Sequence, residues 1–142
     1  MLTLPLLFGS AATLAQPIIK TVSNDWKFRQ ATSDNWHPAT VPGTVHTDLL
    51  ANKLIEDPFY RLNERGLQWI DKEDWVYETT LPLTAEMLEQ ENIDLIFKGL
   101  DTYADVYVND NRILKADNMF RTCKESSLHS ESIPAISIVR TY

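Results

Sequence analysis

The sequence predicts an all-β sandwich with one or two short helices. Stretches of alternating polar and apolar residues recur at intervals of about ten residues, which is the strand spacing typical of sandwiches and barrels. Turn-forming residues separate these stretches, among them Asp34-Asn35, Pro42-Gly43 and Asn109-Asp110-Asn111. A chain of 142 residues fits one domain and is too short for a large multidomain enzyme.

Five segments carry the strand patterns: residues 26–30, 75–81, 93–97, 103–108 and 112–115, with an extended segment over 36–41. In 103–108, the alternation places Tyr103, Asp105 and Tyr107 on one face of the strand and Ala104, Val106 and Val108 on the other. Trp26, Trp75 and Tyr107 occupy alternating strands and are expected in the core, whereas the exposure of Trp36 and Trp69 stays open.

The clearest helix start follows Pro42-Gly43. Thr44 is a suitable N-cap, and Val45, Leu49 and Leu54 fall near one helical face. Asp57-Pro58 is expected to end this helix, because the residue before a proline disfavours the α conformation. One or two helical turns are predicted over residues 84–90.

Residues 59–74 form an irregular segment that is rich in large apolar side chains. A loop of this composition is expected to lie against another part of the fold. Its large apolar residues are Phe59, Tyr60, Leu62, Leu67, Trp69 and Ile70.

Composition and charge argue against several classes of function. The net charge is -7, and nucleic-acid-binding domains normally carry the opposite sign, so no nucleic-acid partner is expected. The single cysteine, Cys123, cannot form an intrachain disulfide, and His37, His46 and His129 share no ligand spacing. We therefore predict no metal and no cofactor.

The first 15 residues resemble a signal peptide, because they are apolar and uncharged and end in small residues. Pro5 and Gly9 interrupt a segment that is already short for a transmembrane helix, so no membrane association is predicted. The usual basic residues at the start are missing, and a mis-set start codon or a buried first strand are the alternatives. The prediction places the protein in the secretory pathway, whether periplasmic, extracellular or lysosomal.

Two long motifs carry a family resemblance. Residues 38–80, PATVPGTVHTDLLANKLIEDPFYRLNERGLQWIDKEDWVYETT, and residues 95–121, LIFKGLDTYADVYVNDNRILKADNMFR, strongly resemble the first part of glycoside hydrolase family 2 β-mannosidases. The resemblance implies a jelly-roll sandwich of the galactose-binding type. It also implies a parent enzyme that removes terminal β-D-mannose from β-mannosides with retention, using two glutamates of a later barrel domain.

No catalytic residue can be carried over onto this chain, because the barrel and both of its glutamates are absent from the sequence. The chain is therefore predicted to be inactive alone and to meet β-mannosides only within the full enzyme. Its native partners would be the immunoglobulin-like and barrel domains of the parent. A free-standing carbohydrate-binding module and a purely structural β-sandwich are the alternatives.

Two acidic residues, Glu64 and Asp101, invite comparison with functional residues of the family. Asn63-Glu64 imitates the dipeptide that contains the family's acid/base glutamate, but it lies in the irregular loop rather than on a barrel strand, so Glu64 is predicted to be a solvated or loop-bracing residue. The resemblance makes Asp101 a candidate for the rim of the sugar site. The alternative for Asp101 is a turn-capping aspartate after Gly99.

The tail differs in character from the rest. We predict a signal segment over 1–15, a β-mannosidase-type domain over 16–121, and a divergent tail over 122–142, which a frameshift, read-through of an intron or a natural short paralogue would explain. The sandwich is then expected to be incomplete, with Val106 and Val108 uncovered. Residues 133–139 would patch the open sheet edge in a weakly specified register.

Overall fold

The computed structural model describes residues 17–81, 83–90, 92–100, 103–126 and 135–140, the last of these through the backbone. The predicted signal segment, residues 1–15, lies outside the described residues. In the described part, three short α-helices are found, α1 Val45–Ala51, α2 Asn63–Gly66 and α3 Ala85–Leu88, with a 3-10 turn at Ile70–Lys72. The same part contains eight strands, which are β1 Lys27–Gln30, β2 His37–Pro38, β3 Trp75–Thr80, β4 Leu95–Phe97, β5 Ala104–Val108, β6 Asn111–Ala116, β7 Cys123–Glu125 and β8 Ala135–Arg140.

The strands form two antiparallel sheets, which confirms the predicted all-β class. Six strands make the larger sheet in the order β2-β1-β3-β8-β5-β6, and β4 pairs with β7 in the smaller sheet. Between β5 and β6, Asn109 and Asp110 have φ angles of 48° and 65°, the left-handed region that a tight two-residue hairpin turn requires.

Strand β8 lies in the middle of the larger sheet. Its six residues pair with β3, from Trp75↔Arg140 to Thr80↔Ala135, and five of them also pair with β5. Residues 135–139 thus pair along a sheet edge as expected, whereas residues 133 and 134 lie outside the described residues. The expectation did not include that β8 pairs with two edges at once and is a central strand. Because β3 already pairs with β1 and β5 with β6, their remaining sides leave a gap of one strand, and β8 occupies it.

The core lies between the sheets and beneath α1. The predicted alternation in β5 is confirmed, since Ala104, Val106 and Val108 are buried. The expectation that the two valines would be uncovered is wrong, because Leu95, Phe97 and Cys123 of the smaller sheet pack against their cluster. A second cluster gathers Phe28, Val45, Leu49, Ile70 and Trp75 beneath the helix.

An ion pair joins the smaller sheet to the residue that precedes it. Lys124 Nζ lies 2.8 Å from Asp94 Oδ2. The hydrogen bond from Lys124, followed by one from Ser126, lowers the pKa of Asp94 below its ordinary value. The pair's contribution is thus present above the usual aspartate pKa and is lost as the pH falls through the lowered value.

Helix α1 begins as the sequence predicts and ends earlier. Thr44 and Thr47 form a reciprocal capping box, and a side chain on Gly43 would strike the carbonyl oxygen of Thr40. The helix ends at Ala51 rather than near Asp57-Pro58, because Lys53 adopts a φ of 58° and Asn52 donates to the carbonyls of Asp48 and Pro38. Leu54 therefore lies outside the helix and is exposed.

A buried carboxylate attaches this helix to the larger sheet. Asp48 is only 1% exposed, and its two oxygens accept hydrogen bonds from the backbone N–H of Thr40 and from the hydroxyl of Tyr77, each at 2.9 Å. Burial of a charge is tolerated when such partners satisfy it. The helix, the turn before it and β3 are thereby held by one side chain.

Replacement of Asp48 by alanine removes the acceptor of both hydrogen bonds. We expect the free energy of unfolding in urea to fall by about 2–4 kcal/mol, and Tyr77→Phe to cost about 1–2 kcal/mol. Glu56→Gln, at an exposed carboxylate, is the control and is expected to change stability by less than about 0.5 kcal/mol. An Asp48→Ala chain as stable as this control would show that the buried carboxylate does not hold the helix.

Candidate functional site

The strand register shows which connections share one end of the larger sheet. Trp75 of β3 pairs with Gln30 and Arg140, and Ala104 of β5 pairs with Arg140 and Ala116. The connections 31–36, 52–74, 98–103 and 117–122 therefore each begin or end at this end of the sheet. In an antiparallel sheet, β3 and β5 lie two strand spacings apart, about 10 Å, on either side of β8.

This end carries the exposed aromatic side chains of the described residues. Phe59 is 96% exposed and Phe120 is 88% exposed. Among the described residues, the large aromatics that are substantially exposed lie in three of the four connections: Phe59, Tyr60, Trp69, Tyr103 and Phe120. We call this set the aromatic end. Met119 is also exposed there, and sequence reasoning missed it with Phe120, although the apolar pair in a polar turn was a visible signal.

Contacts between the connections support this grouping. A Cβ on Gly99 would lie 3.3 Å from the carbonyl oxygen of Met119, so the loops before β5 and after β6 touch. The ring of Trp69 lies 6.1 Å from that of Trp75, which places Trp69 beside the first residue of β3. The aromatic end thus consists of two patches, one anchored at the start of β3 and the other at the start of β5.

The opposite end of the sheet is more polar. It carries the Asn109-Asp110 turn and the Pro42-Gly43-Thr44 turn, all exposed. Exposed large apolar residues elsewhere in the described part, such as Ile19 and Leu88, are aliphatic. Among the described residues, exposed aromatic side chains therefore belong to connections at one end of the sheet.

The segment 59–74 is only partly buried, which corrects the expectation that its apolar groups lie against the fold. Ile70 is fully buried, and its carbonyl accepts from the indole N–H of Trp75 at 3.0 Å. No residue of the short helix α2 is buried, so the segment contacts the core through Ile70 and the partly buried Leu67. Phe59, Tyr60 and Leu62 are exposed.

A shallow groove of about 420 Å³ runs beside this segment. Its lining includes the Glu64 side chain, which is exposed, as are those of Asp71 and Lys72. Asn63 donates from Nδ2 to the carbonyl of Asp57, so the Asn63-Glu64 pair lies in a braced surface helix. Enclosure that excludes water, which catalytic acids commonly require, is missing around Glu64.

Asp101, the predicted rim residue, lies outside the described residues. The flanking residues differ in exposure: Leu100 is buried in the core and Tyr103 is 52% exposed. Both belong to the connection that enters β5 at the aromatic end. The role of Asp101 therefore stays a prediction.

The tryptophans divide between core and surface. Trp26 and Trp75 are buried, as expected. Tyr107 is half-buried on the face opposite Val106, so the prediction that it packs in the core is wrong; the alternation of β5 turns it outward. Trp36 has Lys27 Nζ 4.4 Å and Arg29 Cζ 5.0 Å from its ring centroid, two cation–π contacts.

Arg29 also fixes the loop 31–36 at this end of the sheet. Its Nη1 donates to the carbonyls of Gln30, Ala31 and Ser33 at 2.9–3.2 Å. Among the described residues, no group of three or more His, Cys, Asp or Glu side chains is arranged to hold a metal ion. No helix in this part combines the length and the apolar character needed to cross a membrane.

Residues 26–126 match the family described as the glycosyl hydrolase 2 galactose-binding domain-like domain. The chain belongs to this family. The match extends to residue 126, five residues beyond Arg121, and the domain boundary predicted at 121 stays a prediction.

The chain is similar in sequence and structure to several β-mannosidases. The chain is 37% identical over 114 residues to a β-mannosidase of Mus musculus and 34% identical over 135 residues to one of Bos taurus. These matches cover 80% and 94% of this chain but only 13% and 15% of the mouse and bovine proteins. A β-D-mannosidase structure from Dictyoglomus thermophilum matches with a TM-score of 0.79 and 36% identity, covering 83% of this chain and 15% of that one.

The resemblance seen in the two long motifs is thereby confirmed. This galactose-binding-like domain corresponds to the N-terminal, non-catalytic part of β-mannosidases that are several times longer. The fold class, a sandwich of the galactose-binding type with short helices, is confirmed as well.

Proposed function

We propose that this chain is the N-terminal scaffold domain of a β-mannosidase whose parent enzyme hydrolyses terminal β-D-mannose residues with retention. The observation that carries the proposal is the joint match in sequence and structure to β-mannosidases over most of the chain. A shared fold alone would not indicate a shared role, because one fold hosts many functions. The match in sequence is therefore needed beside the match in structure. The domain itself contributes no reacting group.

The proposal includes a partner for the aromatic end, namely the further domains of the parent. Aromatic residues and methionine are enriched in the buried centres of interfaces, and exposed patches of them mark interaction sites. Each large aromatic buries about 150–250 Å² when fully covered, and these five are 40–96% exposed. Together they supply roughly 500–800 Å², comparable with interfaces between domains of one chain. The matched relatives supply enough additional chain for such a partner, since this match covers 13–15% of their length.

The proposal extends to the role of Asp101 and to the cellular location of the protein. Asp101 is assigned to the rim of the sugar site, because its connection enters β5 at the aromatic end between buried Leu100 and exposed Tyr103. Location in the secretory pathway is supported by the apolar, uncharged first 15 residues.

A free-standing carbohydrate-binding module is the second candidate. The exposed rings of Trp69 and Tyr103 favour it, because the apolar faces of sugars stack on such side chains. Trp36 is a weaker candidate, since Lys27 and Arg29 already lie against its ring.

The first prediction concerns activity. The purified chain is expected not to hydrolyse an aryl β-mannoside, because a retaining mechanism needs two positioned carboxylates. Release of the chromophore is measured for the unaltered chain and for Glu64→Gln, with Asp71→Asn as a matched exposed control. Turnover that disappears only in Glu64→Gln would overturn the scaffold role.

The second prediction concerns sugar binding. We expect mannose to bind the isolated chain with a Kd of about 1 mM or weaker, since exposed rings alone give little affinity. Calorimetric titration measures it. Micromolar affinity that Trp69→Ala abolishes, and that Trp36→Ala leaves intact, would establish the binding module in place of the scaffold.

The third prediction concerns the aromatic end. In a chimera, this chain replaces the matching segment of the Dictyoglomus thermophilum enzyme, and Phe59→Ser with Phe120→Ser is expected to lower the Tm by several degrees. The same substitutions are expected to change the isolated chain's stability by less than about 1 kcal/mol, because both rings are already exposed. Leu88→Ser, outside the aromatic end, is the control in both proteins. Equal effects of the two sets in the chimera would place the interface elsewhere.

A further inference from the structure

The larger sheet consists of two halves, and among the described strands only β8 joins them through backbone pairing. One half is β2-β1-β3 and the other is β5-β6. The first half comes from residues 27–80 and the second from residues 104–116, so each is assembled from a continuous stretch of chain. The strand between them comes from residues 135–140, which follow both halves in the sequence.

Without β8, both halves would present a free strand edge. β3 would leave six residues and β5 five residues without a partner on that side. Buried backbone N–H and C=O groups that lack partners are costly, and those of extended strands are satisfied by another strand. The two edges lie about 10 Å apart, which is the width that one strand fills.

We propose that the gap between β3 and β5 is a binding site for one extended polypeptide strand. Its occupant is residues 135–140, and the site accepts this strand from a separate peptide as well as from the chain itself. Main-chain pairing on both sides supplies the attraction, as in other cases of strand addition. The inference does not depend on the proposed function, because it rests on the register of the sheet alone.

The register identifies the position at which occupancy can be blocked in the full chain. Ser137 pairs with Glu78 on one side and with Tyr107 on the other. Proline has no N–H to donate and is confined to edge strands or bulges, so Ser137→Pro is incompatible with a central strand. Ser137→Ala keeps the N–H and is the matched control.

The experiment measures amide hydrogen exchange in the full-length Ser137→Pro chain. We expect protection of the amides of Val76–Thr79 and Asp105–Tyr107 to fall at least tenfold relative to the Ser137→Ala chain. A peptide of residues 133–142, added in excess, is expected to restore most of it. The same peptide with proline at position 137 is expected to restore none, and the unaltered chain, whose site is filled, is expected to bind neither peptide.

Three results would overturn the inference. Full protection in the Ser137→Pro chain would show that residues 135–140 do not hold the two halves together. Loss of protection that neither peptide reverses would show that the gap does not accept a strand in trans. Restoration by both peptides equally would also contradict it, because pairing at Ser137 would then be irrelevant.

Discussion

The backbone pairing of β8 with β3 on one side and β5 on the other makes the larger sheet continuous. Every other strand of that sheet pairs within its own half. The two halves are therefore connected by this strand and by side-chain contacts in the core. Core packing depends on β8 as well. Val106 and Tyr77 can pack in the same cluster because β8 holds β3 and β5 two strand spacings apart. The aromatic end depends on it too, because its two patches are anchored on β3 and β5.

Local features of the fold could be predicted from the sequence because they depend on neighbouring residues. Alternation in residues 104–108 determines which side chains face inward, and Thr44 determines where α1 begins. The position of β8 could not be predicted, because the choice of partner strands is made by distant parts of the chain. The early end of α1 also escaped prediction, since it depends on the contact between Asn52 and the carbonyl of Pro38.

The candidate site was less predictable than the fold. Apolar composition in residues 59–74 indicated burial, but which side of that segment meets the core is decided by Ile70 and Trp75, whose contact is made only in the folded state. Phe120 gave no periodic signal, because it lies in a turn. Conversely, the Asn63-Glu64 pair resembled a catalytic motif in letters, and its position in a braced surface helix supports the structural interpretation.

The hairpin turn at Asn109-Asp110 lies at the end of the sheet opposite the aromatic residues. Both residues are exposed, and Val108 and Asn111 pair directly across the turn. Exposed tips of polar turns tolerate inserted segments better than the elements they connect. A fluorescent protein or an affinity tag can therefore be carried at this turn, where it leaves the aromatic end free.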